Sequence, residues 1–184
     1  VQRIHQEDFC QALRRLPERK YEHRGGPTLA EMAGLVQRQS HNRGEDALAL
    51  ADFLAINVVA GAPDGHSKNI SMLRSEENWI APLYDLATGL VYDKAEVDRT
   101  VAVSVGGERQ VSRIRARQWE KAGQTLRIDA VALISRVLQL AADFPGAFEN
   151  ALMSCPETPQ REEVAQRATK AIALHCDRIV QQLS

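Results

Sequence analysis

Two carboxylates and one amide have a spacing that suggests chemistry. Asp64 lies in the loop Gly61-Ala-Pro-Asp-Gly-His-Ser-Lys-Asn69, Asn69 follows it by five residues, and Asp85 comes sixteen residues after Asn69. Phosphoryl transfer requires this set. One carboxylate orients the attacking hydroxyl and accepts its proton, while an amide oxygen and a second carboxylate hold Mg²⁺ on the phosphate oxygens. Mg²⁺ demands hard oxygen ligands and is usually held by few protein groups together with phosphates. On residue type alone, Asp-Gly-His-Ser-Lys-Asn is also a plain turn, because these are ordinary turn formers.

The elements around the loop weigh on the choice. Residues 45–60 are apolar on most faces, interrupted by Asp52 and Asn57, and this pattern predicts a helix buried within the domain. Gly61 and Pro63 stop it abruptly. Residues 70–73 and 79–83 are short apolar runs around the polar turn 74–78, so they predict a β-hairpin that delivers Asp85 at the end of its second strand. Buried helix, loop, hairpin and aspartate, in that order, are the layout of a kinase C-terminal lobe.

The remaining chain reads as mostly helical. Residues 6–16 place Phe9, Leu13 and Leu16 on one side, with Glu7 and Asp8 in the first turn, and predict a helix. A polar stretch ending in Gly25-Gly26-Pro27 is a loop, and the Thr28–Glu31 capping box opens a helix over 29–39. A weaker strand is expected at 101–105, closed by Gly106-Gly107. Further helices are expected over 117–126, from the Asp129 cap to 142, after Pro145, and from Thr158-Pro159 to the end. The expected fold class is therefore mainly α with one or two small β-hairpins.

Composition narrows the function classes. With 184 residues, 44% of them hydrophobic and 26% charged, the chain can pack one core, and disorder is not expected. Lys and Arg number 23 against 24 Asp and Glu, which removes any global electrostatic case for binding nucleic acid or membrane. The most apolar window, 47–60, is shorter than the roughly 20 residues that cross a bilayer. Three cysteines without a C-x-x-C pair read as reduced thiols of a cytoplasmic protein. His5, Glu7 and Asp8 lack zinc-site spacing, no G-x-S-x-G elbow supports hydrolysis, and Arg109, Arg113, Arg115 and Arg117 read as a solvated basic stretch.

Four segments carry a family resemblance: Arg3-Ile-His-Gln-Glu-Asp-Phe-Cys-Gln-Ala-Leu13, Lys20-Tyr-Glu22 with Gly25-Gly-Pro27, the D-x-H-x-K-N loop, and Trp79-Ile-Ala-Pro-Leu-Tyr-Asp-Leu86. Together they resemble HipA-type toxin kinases, the serine/threonine kinases of type II toxin–antitoxin modules. The likeness runs from the first residue to about 107 and more weakly to the end. It implies a protein-kinase-like C-terminal lobe, with Asp64 as catalytic base and Asn69 and Asp85 as Mg²⁺ ligands. Asp85 would stand where many kinases have the D-F-G aspartate, here within Asp85-Leu-Ala87. His66 and Lys68 would face the phosphates of ATP, and Tyr84 would line the nucleotide pocket. A loop-bracing hydrogen bond for His66 and a solvated charge for Lys68 stay open beside those roles.

The resemblance also implies partners: a protein substrate such as a translation factor or an aminoacyl-tRNA synthetase, a HipB-like antitoxin, and DNA only through that antitoxin, with no membrane. Gly25-Gly26 and Gly106-Gly107 stand without a phosphate-loop context, and no strand lysine precedes the catalytic loop. Residues 1–184, beginning at Val1 rather than Met, are thus expected to be the C-terminal domain of a longer kinase, inactive without its N-terminal lobe. A lipid kinase lobe resembling the phosphoinositide kinases, and a non-catalytic antitoxin-binding module, are the competing readings.

Overall fold

The computed structural model of the chain describes residues 3–92, 96–97 and 99–184. Its centre is α3 (Arg43–Val59), which packs against α2 (Leu29–Gln39), α4 (Ala116–Leu126), α5 (Ala130–Met153) and α6 (Pro159–Leu183). The helix starts at the Asn42 cap, whose side chain accepts from the Glu45 amide. It buries residues on nearly every side, among them Leu50, Phe53, Leu54 and Val58, as its unbroken apolar pattern requires. Burial of each such side chain contributes about 1.5–3 kcal/mol before entropy is counted. Trp119 of α4 and Phe9, Met32, Ile70 and Met72 close the same core.

Two small antiparallel sheets sit on this helical body. The first joins β1 (His5–Asp8), β2 (Ser71–Arg74) and β3 (Trp79–Ile80) in that order. The second is a hairpin of β4 (Thr100–Val105) and β5 (Glu108–Gln110). Gly106 and Gly107 form its two-residue turn with φ of 55° and 86°. Positive φ at both turn residues matches strand twist and favours glycine.

The structure ends the second strand of the expected hairpin at Ile80 rather than 83, so Asp85 follows an irregular stretch instead of closing a strand, and it corrects three further expectations. Residues 6–16 are not one helix. Asp8 and Gln11 form a reciprocal capping box that starts α1 at Phe9, and the helix ends at Ala12, two residues before Arg14 takes φ of 55°. The residues before that cap are free to extend, and they pair with β2 in the register His5↔Arg74 to Asp8↔Ser71. Glu7 also accepts a charged hydrogen bond from Arg74 Nε at 2.7 Å. Leu16, expected on the apolar side, is 66% exposed.

The second correction concerns Pro145, which does not separate two helices but lies inside α5. A proline there forfeits one backbone hydrogen bond and crowds the preceding turn. Packing against α6, more extensive than between any other two elements, offsets part of that cost. Third, Gly106-Gly107 does not close the ribbon but turns it into β5, whose Glu-Arg-Gln sequence gave no strand signal.

Among the described residues, α5 is the one helix long and apolar enough to cross a membrane. Here it is a bundle helix: it buries Leu133, Val137 and Ala141, and its Arg136 pairs bidentately with Asp52 on α3.

Candidate active site

The Asp64 loop is built from the end of α3 outward. Ala60 closes the helix, Gly61 takes φ of 58°, and the Ala62 amide turns back to the Asn57 carbonyl at 2.9 Å. Two tight turns follow, from the His66 amide to the Asp64 carbonyl and from the Asn69 amide to the His66 carbonyl, both 2.8 Å. Gly65 passes directly over Asn57: a Cβ there would stand 2.0 Å from Asn57 Oδ1. Asn57 cannot yield easily, because it is buried and donates through Nδ2 to the Phe53 carbonyl at 2.6 Å. The polar break in an otherwise apolar helix is therefore the platform of the loop.

The far side of the loop is held by residues distant in sequence. The Phe9 amide donates to the carbonyls of Ser67 and Ile70 at 3.1 and 3.2 Å, so the start of α1 clamps the loop exit. The Ser67 amide reaches the Lys20 carbonyl at 3.3 Å. Residues 20–26 are themselves tethered to β4 through Glu22, whose carboxylate accepts from the Ser104 amide at 2.5 Å and the Ser104 hydroxyl at 2.8 Å.

This framework leaves Asp64 with 55% of its side chain exposed, as a group that must meet another molecule would be. Its Oδ1 accepts a hydrogen bond from the Tyr21 hydroxyl. That bond, together with burial and the carboxylate charge, pushes the Tyr21 phenol up to about 12. Lys20 Nζ and Arg24 Cζ stand 5.1 and 5.6 Å from the Tyr21 ring centre, within cation–π range. His66 turns inward. Its Nε2 is 3.6 Å from Asp64 Oδ1, its ring packs edge-on to Tyr21 at 5.2 Å, and its Nδ1 is buried without a partner. Burial holds the imidazole below its ordinary pKa, against the pull of both Asp64 and Asp85.

Asn69 and Asp85 face one cavity of about 110 Å³, shared with Tyr84 and the apolar side chains of Phe53, Leu83 and Leu86. Asn69 donates through Nδ2 to the Asp64 carbonyl at 2.9 Å, which fixes the amide and leaves Oδ1 for a ligand. Asp85 adopts φ of 57°, a left-handed conformation uncommon outside glycine, and such outliers cluster at functional sites. Tyr84 is locked by donating to the Lys68 carbonyl at 2.8 Å and accepting from the Ser71 hydroxyl. Among the described residues no cluster of three or more His, Cys, Asp or Glu could hold a metal. Two hard oxygens on one cavity fit Mg²⁺, which takes its remaining ligands from phosphate and water.

Thus Asn69, Tyr84 and Asp85 line one cavity, while Asp64, His66 and Lys68 lie off it, and Asp64 joins that group through its backbone carbonyl, which accepts from Asn69. Lys68 Nζ pairs with Asp8 Oδ2 at 2.8 Å, and that bond raises its pKa. Tyr21, Asn57 and Gly65 were not among the residues singled out from the sequence. The only signals for them were the Lys20-Tyr-Glu22 string, the polar interruption of an apolar helix, and a glycine next to the candidate base.

Comparison with known proteins adds three findings. A family model described as HipA-like C-terminal domain matches residues 1–148. A protein of Sinorhizobium fredii (strain NBRC 101917 / NGR234), named "Putative kinase Y4mE", is 39% identical over 121 residues, covering 65% of this chain and 28% of its own. A solved structure, the Shewanella oneidensis MR-1 toxin–antitoxin system HipA, HipB and its operator DNA complex, superposes with a TM-score of 0.83 at 22% identity. That match covers 96% of this chain and 44% of the other, so the chain spans under half the length of both relatives.

Proposed function

This chain belongs to the HipA-like C-terminal domain family, and on that premise we propose that it is the catalytic lobe of a serine/threonine protein kinase using ATP and Mg²⁺. The observation that carries the reading is that Asn69, held by the Asp64 carbonyl on one loop, shares a cavity with Asp85, although the chain separates Asp64 from Asp85 by 21 positions. Asp64, exposed and already accepting a hydrogen bond from a hydroxyl, orients the acceptor Ser or Thr and takes its proton. Asn69 Oδ1 and the Asp85 carboxylate are the groups that would hold Mg²⁺. When bound, the ion neutralises charge on the transferred phosphate. Phe53, Leu83 and Leu86 give the cavity an apolar side, of which Phe53 is buried.

A cavity of about 110 Å³ encloses only part of a nucleotide. Electrostatic stabilisation needs donors on both sides of the triphosphate, so the chain alone has little or no kinase activity. The acceptor is a protein of the translation apparatus such as an aminoacyl-tRNA synthetase, a HipB-like antitoxin restrains the cytoplasmic parent, and DNA is met only through that antitoxin. Support for the antitoxin comes from the HipA–HipB–DNA assembly of the structural relative.

The test is growth arrest and ATP-dependent protein phosphorylation by the full-length parent, with Asp64→Asn and Asp85→Asn each expected to lower the rate by about 10²-fold or more. Retained activity in either variant would reject the assignment.

A further inference from the structure

A second cavity, larger than the first, lies outside the candidate active site. It measures about 260 Å³, just below the roughly 300 Å³ at which small-ligand pockets begin. The last turns of α6 form one wall, β4 and the segment after β5 form the other, and Gly61 and Ala62 form the floor. Leu90, Val101, Val111 and Ile179 make most of its surface apolar. Two arginines, Arg99 and Arg178, stand on it, and no acidic side chain does among the described residues.

The polar groups are arranged unequally. Arg99 is fixed by donating to the Gly89 and Tyr92 carbonyls at 2.7 and 2.6 Å, which leaves part of its five-donor fork over. Arg178 is exposed and makes no hydrogen bond or ion pair among the described residues. His175 directs Nε2 at the Val58 carbonyl, 2.8 Å away, so Nε2 carries the proton and Nδ1 is left as an acceptor. Burial lowers the pKa of that ring, and both arginines push in the same direction.

An apolar hollow with two guanidiniums and, among the described residues, no acidic side chain suits a ligand that is apolar at one end and anionic at the other. We propose that this cavity is a binding site for a small amphipathic anion, with a ring or short-chain body against Leu90, Val101 and Ile179 and a carboxylate, sulfonate or phosphate at Arg99 and Arg178. Guanidinium forks match such oxyanions bidentately. The site is separate from the proposed phosphoryl-transfer centre and does not rest on it. Its floor residues, Gly61 and Ala62, nevertheless run directly into Pro63 and Asp64.

The test uses the 184-residue chain and two probes that differ by one charge: 1-anilinonaphthalene-8-sulfonate and its uncharged parent N-phenyl-1-naphthylamine. The expected result is saturable one-to-one binding of the sulfonate, at least tenfold tighter than the neutral probe, with amide shifts at Ala62, Val101 and Val111. Ala171→Trp, which fills the hollow, abolishes binding, and Arg178→Glu weakens it about tenfold. Should Ala171→Trp not fold, Leu174→Glu, at a half-exposed position on the rim, carries the same test. Equal binding of both probes, multisite binding, or binding unchanged by the cavity variants would overturn the proposal.

Discussion

The hydroxyl of Tyr21 donates a hydrogen bond to the carboxylate of Asp64, 43 positions further along the chain. The bond ties the loop over residues 20–26 to the loop that follows α3. It does so at the one carboxylate oxygen that also faces His66.

This contact sets the titration of the phenol. A free tyrosine ionises near 10, and here the neutral phenol is favoured up to about 12. The folded pKa is raised, so the stability contributed by the bond is full below 10 and fades as pH rises through about 12. Absorbance titration at 295 nm should show a phenolate step near 12 that is absent in Tyr21→Phe. A chain whose three tyrosines all titrate near 10 would contradict it.

Gly65 and Asn57 form the tightest approach in the site. In Gly65→Ala the new Cβ would sit 2.0 Å from Asn57 Oδ1. Overpacking of this kind costs about 1–3 kcal/mol, or about 2–4 °C of Tm per kcal/mol for a chain of this size. Because the clash is with one side chain, Asn57→Ala should recover part of the loss in the double variant. Thermal denaturation of the four-member cycle measures that coupling, and additive losses would count against direct contact.

Asp85 carries a conformational cost at φ of 57°. For an L residue the left-handed region costs roughly 1–2 kcal/mol, less for aspartate, and glycine is free of it. Asp85→Gly should raise stability by a few tenths to about 1 kcal/mol in a denaturant titration. The same substitution removes a proposed Mg²⁺ ligand, so the full-length kinase should gain stability while losing phosphoryl transfer. A lower Tm for this variant would show that the strain is repaid by contacts of the carboxylate.

One buried and one half-buried histidine make folding sensitive to acid. His66 and His175 are both held below 6.5, chiefly by burial. Arg99 and Arg178 add to the effect at His175, while Asp64 and Asp85 oppose it at His66. A depressed histidine pKa means that the unfolded chain binds the extra proton, so stability is complete above about 6.5 and declines as pH falls through that value towards the folded pKa. Denaturant midpoints measured between about pH 7.5 and 5.5 should fall with acidity. His175→Gln, which keeps a donor for the Val58 carbonyl, should flatten that slope.

Pro145 lies within the continuous helix α5. An interior proline costs a helix about 3 kcal/mol, part of which packing against α6 offsets. Pro145→Ala should therefore stabilise the chain by about 1–3 kcal/mol, visible as a higher Tm with unchanged far-ultraviolet circular dichroism.

The sequence by itself determined the pieces whose cause is local. The Thr28–Glu31 capping box opens α2, the unbroken apolar run makes α3 the central helix, and the Asp64–Asn69 spacing places both groups on one tight loop. Tertiary structure decided the rest, because pairing energy comes from residues far away. Residues 5–8 became a strand only through β2, 67 positions on at Glu7–Arg74, where local periodicity favoured a helix. Lys68 was drawn to Asp8, Tyr21 was brought to Asp64, and Asn57 became the surface on which Gly65 rests. None of these is written in spacing along the chain, since each depends on which surfaces the core of α3 brings within a few ångströms of one another.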